Sequence, residues 1–194
     1  MQNPAVQRAR GHTERLIAIS PLFLSAVPTA TAPAPEAMHL PVLLAVSPDA
    51  PISPEPGYLL RALARQLNLP GSAVGQDWDL QIYPSVSALP SADVTLLLVD
   101  AGLEATRDAF ALIKQLHARG VGRIGVLYRA GEDLGAARRC YRRLAVGAAR
   151  FLNQPLINLG WLPSPGPYFA AALAHAAQVV HSQRRTPASL EAAR

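Results

Sequence analysis

The strongest constraint on the fold is a run of strand-forming residues, 93–100, whose interior is almost entirely apolar. Such a run is typical of a strand covered on both faces, as in a parallel sheet. Phe110, Ile113 and His117 follow at helical spacing on one face, and Gly120 is suited to ending that helix. The sequence therefore predicts a strand that leads into a helix, which is the repeating unit of an α/β protein.

The same alternation continues toward the end of the chain. A strand is predicted at 123–129, a long helix at 133–152, a short strand at 156–160 and a final helix at 167–183. Consecutive strand–helix–strand units require parallel strands with right-handed crossovers. The 194 residues suffice for one domain of ordinary size. We therefore predict a single-domain α/β fold over 15–183, with helices flanking a parallel sheet.

Proline dominates the region 21–56, which holds nine of the 18 prolines in the chain. Proline has no backbone N–H and suits neither a helix interior nor the centre of a sheet. A Pro/Ala-rich N-terminal loop is therefore predicted here, and only the apolar stretch 41–47 suits a buried strand. Residues 15–20 are predicted as the first strand. The leucines of 56–67 recur on one face of a helix.

Both ends, 1–14 and 184–194, are predicted to be flexible. A secretion signal at 1–32 is an alternative for the N terminus, because three arginines precede an apolar stretch there. Glu14 and Pro21 disfavour that alternative, since one adds a charge beside the apolar stretch and the other interrupts it.

The basic side chains are almost all arginines, because Lys114 is the only lysine among 18 basic residues. A mechanism that needs a lysine must therefore use Lys114. The net charge is +5, but no aromatic pattern interleaves with the arginines, so nucleic-acid binding is not predicted. The single cysteine, Cys140, excludes an internal disulfide framework and a cysteine-based metal cluster. The histidines show no metal-binding spacing, and no metal site is predicted.

Two segments resemble a known family. Residues 108–114 read Asp-Ala-Phe-Ala-Leu-Ile-Lys after the strand at 93–100, and 159–163 read Leu-Gly-Trp-Leu-Pro. Together with Phe151-Leu152 they resemble the C-terminal half of the MinD/ParA-like ATPases, most closely the flagellar-number regulators of the FlhG/FleN type. The resemblance extends over 93–180. It implies a P-loop NTPase-type scaffold and a role in flagellum biogenesis and bacterial cell organisation.

The resemblance breaks down where the family holds ATP. In the family, a glycine-rich loop with lysines follows the first strand and cradles the phosphates. Here 21–28 contains neither glycine nor lysine and has a proline at each end. We therefore predict a degenerate MinD-like domain with no catalytic residue and no nucleotide cofactor. The alternatives are an active ATPase of this family, in flagellar or cellulose secretion, and a signalling domain centred on Asp100.

The predicted function is regulation of flagellar assembly, number or placement through protein contacts, with flagellar assembly factors as candidate partners. The candidate contact residues are the arginines of the long helix and two large apolar residues of the final helix: Arg138, Arg139, Arg142, Arg143, Phe169 and Leu173. The arginines suit an acidic partner. The protein is predicted to be cytoplasmic. The final helix has few large apolar side chains, so only weak, peripheral contact with the inner membrane is expected. No oligomeric state is predicted.

Overall fold

A computed structural model describes residues 38–46, 55–69 and 78–183, in which strands and helices alternate. In chain order the elements are β1 (Met38–Ala45), α1 (Pro56–Leu67), β2 (Trp78–Ile82), β3 (Thr95–Asp100), α2 (Leu103–Ala118), β4 (Ile124–Gly131), α3 (Leu134–Leu152), β5 (Leu156–Pro163) and α4 (Phe169–Ser182). All strand pairs are parallel, and the strand order is β2-β1-β3-β4-β5. This is the flavodoxin-like order. The predicted α/β fold, with a parallel sheet and flanking helices, is confirmed.

Each face of the sheet has its own hydrophobic core. The helices α1 and α4 pack on one face, against strand residues that include Leu96 and Leu127. The helices α2 and α3 pack on the other face, against residues that include Leu97 and Val126. Every residue of β3 is buried, as the apolar run at 93–100 predicted for a strand covered on both sides.

The stretch 41–47, which suited a buried strand within the predicted loop, belongs to β1 as far as Ala45. The loop prediction is wrong only for Met38–Leu40, where β1 begins, and the whole strand lies between β2 and β3. The strand tolerates Pro41 because of its register. The carbonyl of Val42 accepts a hydrogen bond from the Tyr83 N–H of the β2 side at 2.9 Å. The backbone of the preceding Pro41 therefore points toward β3, where pairing begins only at Val42 and Leu96. The missing N–H removes no hydrogen bond from the paired part of the ladder.

Other boundaries differ by a few residues. The strand β5 continues to Pro163, beyond the predicted end at 160. The helix α4 begins at Phe169, two residues after Pro167. Every helix in the described ranges is too short or too polar to cross a lipid bilayer. The predicted strand at 15–20, the flexible ends and the possible secretion signal lie outside the described residues.

Candidate functional site

The carboxyl ends of β3 and β4 hold a buried pair of opposite charges. Asp100 and Arg129 are direct neighbours in the parallel ladder, so their side chains leave the same face of the sheet. Arg129 donates from Nε to Asp100 Oδ1 at 2.5 Å and from Nη2 to Asp100 Oδ2 at 2.8 Å. Asp100 is 3% exposed and Arg129 is 4% exposed. The two residues form a bidentate ion pair that is almost fully removed from solvent.

This pair decides how Asp100 can act. The carboxyl edge of a parallel sheet is where α/β proteins gather their reactive groups, and the sequence identified Asp100 as a candidate acid for that reason. Both of its oxygens accept hydrogen bonds from the guanidinium group, which leaves the carboxylate held in place and shielded. Gly102, not Asp100, is the N-cap residue of α2. Asp100 is therefore a structural partner of Arg129, a residue that no motif in the sequence indicates.

The other acidic residues do not join Asp100 in a common site. Asp79 lies near the amino end of β2, at the opposite edge of the sheet, where its Oδ2 is 3.5 Å from His39 Nδ1. Asp133 caps α3 by accepting a hydrogen bond from the Ala136 N–H at 2.8 Å. No group of three or more His, Cys, Asp or Glu residues within 38–46, 55–69 and 78–183 could hold a metal ion. An Asp-centred signalling site would need such acidic neighbours.

Lys114 lies on α2, as the sequence predicted, and its side chain is exposed. The helix starts beside the carboxyl end of β3, and Lys114 comes eleven residues after its first residue. At 1.5 Å per residue, Lys114 is about 16 Å along the helix axis from that end. A lysine in this position lies about three helical turns from the edge where a nucleotide phosphate would bind. The segment 21–28, which replaces the family's phosphate loop, lies outside the described residues.

The four candidate arginines form one exposed surface on α3, which we call the arginine face: Arg138, Arg139, Arg142 and Arg143. Arg138 lies over the Trp161 ring of β5, with its guanidinium carbon 5.0 Å from the ring centroid. Arg139 Nη2 is 3.7 Å from Asp133 Oδ2 at the start of the same helix. The charges of the arginine face are therefore open to solvent at the outside of the α2–α3 layer.

The structure buries the two apolar candidates of the final helix. Phe169 is 8% exposed and Leu173 is 3% exposed, and both belong to the core between α1, α4 and the sheet. The Phe169 ring also stacks on Tyr58 of α1, with centroids 6.4 Å apart. These side chains hold α4 on the sheet and offer almost no surface to a partner. The expectation that Phe169 and Leu173 form a contact surface is replaced by this packing role.

Tyr128 is a buried ionisable side chain under α2 and α3. It has no exposed surface, and its ring meets that of Tyr141 edge to face, with centroids 6.4 Å apart. Burial raises the pKa of the Tyr128 hydroxyl from 10.0 to about 12, because a phenolate would lose its hydration there. Burial also raises the pKa of Tyr141.

This shift predicts a loss of stability at alkaline pH. The folded state holds the Tyr128 proton more tightly than the unfolded chain, so the stabilisation is complete below pH 10.0 and disappears as the pH rises toward 12. We expect Tyr128 to account for a loss of about 2 kcal/mol in the free energy of unfolding over that range. Urea denaturation at several pH values measures it. Tyr128→Phe should remove this part of the pH dependence, whereas Tyr168→Phe, at a position that is 78% exposed, should not. Identical pH profiles for the wild type and Tyr128→Phe would contradict the prediction.

Comparison with known proteins finds similarity to solved structures. No protein-family model matches the sequence, and no curated protein matches it. Among the solved structures, the chain is similar to a flavodoxin of Streptococcus pneumonia TIGR4, with a TM-score of 0.46 and 13% sequence identity. The match covers 76% of this chain and 100% of the flavodoxin chain. The two proteins share too little for any conclusion about ligand or activity.

Proposed function

We propose that this chain is a non-catalytic, MinD/FlhG-like protein that regulates flagellar assembly, number or placement through contacts with other proteins. The observation that carries the non-catalytic part is the buried ion pair between Asp100 and Arg129. It occupies the carboxyl edge of the sheet, where an enzyme of this architecture would need an accessible reactive group. The flagellar setting rests on the sequence resemblance of 93–180 and is part of the proposal.

The contact part of the proposal rests on the arginine face. Its four side chains are exposed on one helix, and guanidinium groups are well suited to carboxylate partners because they donate two hydrogen bonds in a fixed geometry. The helices α2 and α3 also separate this surface from the buried pair, which lies on the opposite face of the sheet with α1 and α4. The proposed location is the cytoplasm, where the partners would be assembly factors of the flagellum.

The proposal predicts that the full chain does not bind Mg-ATP. The only lysine, Lys114, is exposed on α2 away from the carboxyl edge, and 21–28 has no glycine or lysine to hold phosphates. Isothermal titration calorimetry with Mg-ATP should show no binding heat up to about 1 mM ligand. Lys114→Ala should give the same trace as the wild type. A micromolar Kd would overturn the proposal, and its loss in Lys114→Ala would favour an active ATPase of the same family.

A further inference from the structure

An apolar groove of about 310 Å³ runs between α2 and α3 on the outside of the molecule. Leu103 and Phe110 of α2 line one side, and Leu144 and Phe151 of α3 line the other. Leu103 is 54% exposed and Phe151 is 70% exposed, so two large apolar side chains of this groove face the solvent. The two helices are packed together at Gly147, because a Cβ atom there would lie 3.4 Å from the Phe110 ring, in ordinary van der Waals contact.

Basic side chains follow both rims of this groove. Arg107 of α2 and Arg143 of α3 line it directly. Lys114 continues the rim of α2 two turns beyond Arg107, at the spacing of residues on one helix face. Arg139 and Arg150 extend the rim of α3 on either side of Arg143, and all five side chains are exposed. The groove therefore has an apolar floor between two cationic rims.

We propose that this groove binds an acidic amphipathic helix of a partner protein. The inference rests on the proposed function, because it names the kind of partner through which the protein would act. Helices bind grooves of this kind through an apolar stripe, and acidic residues beside that stripe would meet the cationic rims. The α2 lining of the groove extends from Leu103 to Phe110, about 10 Å, which matches two turns of a bound helix.

The positive charge of the groove rims favours this partner over the other possible occupants. The two terminal segments of this chain outside the described core are themselves basic, and the short internal segments 47–54 and 70–77 hold one aspartate each. Residues 1–37 contain three arginines and two glutamates, and 184–194 contain three arginines and one glutamate. A second copy of the chain docked through the same groove would bring the basic rims together, which is unfavourable. Complementarity therefore favours an acidic segment supplied by another protein.

The test uses a synthetic peptide probe and the full chain. The probe is a fluorescein-labelled peptide of about 15 residues, with leucine at helical core spacing and glutamate at most other positions. Fluorescence anisotropy should give a micromolar Kd that weakens about tenfold or more when the salt is raised from about 0.05 M to about 0.5 M. A peptide with the same leucines and lysine in place of glutamate should bind at least about tenfold more weakly.

Variants locate the binding site on the protein. Phe151→Ala removes an exposed apolar wall and Arg143→Gln removes a rim charge, and each should weaken binding of the glutamate peptide at least about fivefold. Val146→Ala, on the outer face of α3, and Arg61→Gln, on α1, are matched controls that should leave the Kd unchanged. Because all four positions are exposed, thermal melting should show the same fold for every variant.

Four results would overturn the proposal. The first is that the glutamate peptide does not bind, and the second is that the two peptides bind equally well. The third is that Phe151→Ala leaves the Kd unchanged, and the fourth is that another ligand occupies the groove. For the fourth result, sedimentation with anionic phosphatidylglycerol vesicles detects membrane binding, and sedimentation equilibrium detects a second copy of the chain. Each measurement is repeated with Phe151→Ala to show whether the groove is the binding site. Failure of the proposed function is separate, because a chain that binds ATP refutes that function even if the peptide binds.

Discussion

Replacing Arg129 with leucine is expected to lower the free energy of unfolding by about 3–5 kcal/mol. The change leaves the Asp100 carboxylate 3% exposed and without the guanidinium group that holds both of its oxygens. Removing one partner of a buried ion pair is far more costly than the pair itself, because the remaining charge loses its counter-charge at a site that water hardly reaches. Urea denaturation followed by circular dichroism measures the loss.

Two further variants test the origin of this loss. The double variant Asp100→Leu/Arg129→Leu removes both charges, so it should recover much of the stability that the single variant loses. Arg139→Leu breaks the solvent-exposed pair with Asp133 and should change stability only slightly. A loss below about 1 kcal/mol for Arg129→Leu would mean that water reaches Asp100. That result would favour a signalling role for this residue.

The sequence predicted those elements whose signals are local. The run at 93–100 and the helical spacing after it identified β3 and α2, because an apolar run and a 3.6-residue period are visible without knowledge of the neighbours. The strand β1 was only a minor possibility within a predicted loop. Whether a sheet tolerates Pro41 depends on which side of the strand is paired at that residue, and this register is a property of the assembled sheet.

The candidate site depended even more on tertiary structure. Asp100 and Arg129 each end an apolar run of the sequence, but only the pairing of β3 with β4 makes them neighbours. A search for opposite charges at the ends of consecutive predicted strands could have found them. Phe151 likewise follows the buried Leu144 and Ala148 at helical spacing, yet it is 70% exposed, while Phe169 is 8% exposed. Helical periodicity identifies which residues share one face of a helix, but it does not show how far the neighbouring elements cover that face.

Replacing Arg142 and Arg143 with glutamine is expected to abolish the proposed regulatory function while leaving the fold intact. Both side chains are exposed, so their loss removes little packing. This pair is preferable to the full set of four, because Arg138 contacts Trp161 and Arg139 pairs with Asp133. Two positive charges disappear from the surface that would meet an acidic partner, and Arg143 also lines the groove between α2 and α3.

The number and position of flagella per cell, counted by electron microscopy in the host organism, test the central claim most directly. Arg142→Gln/Arg143→Gln should give the same flagellation defect as deletion of the gene, with the protein folded and at its normal level. Arg61→Gln/Arg65→Gln removes the same charge from exposed positions of α1 and should leave flagellation normal. Normal flagellation in the Arg142→Gln/Arg143→Gln strain, or in the deletion strain itself, would contradict the account.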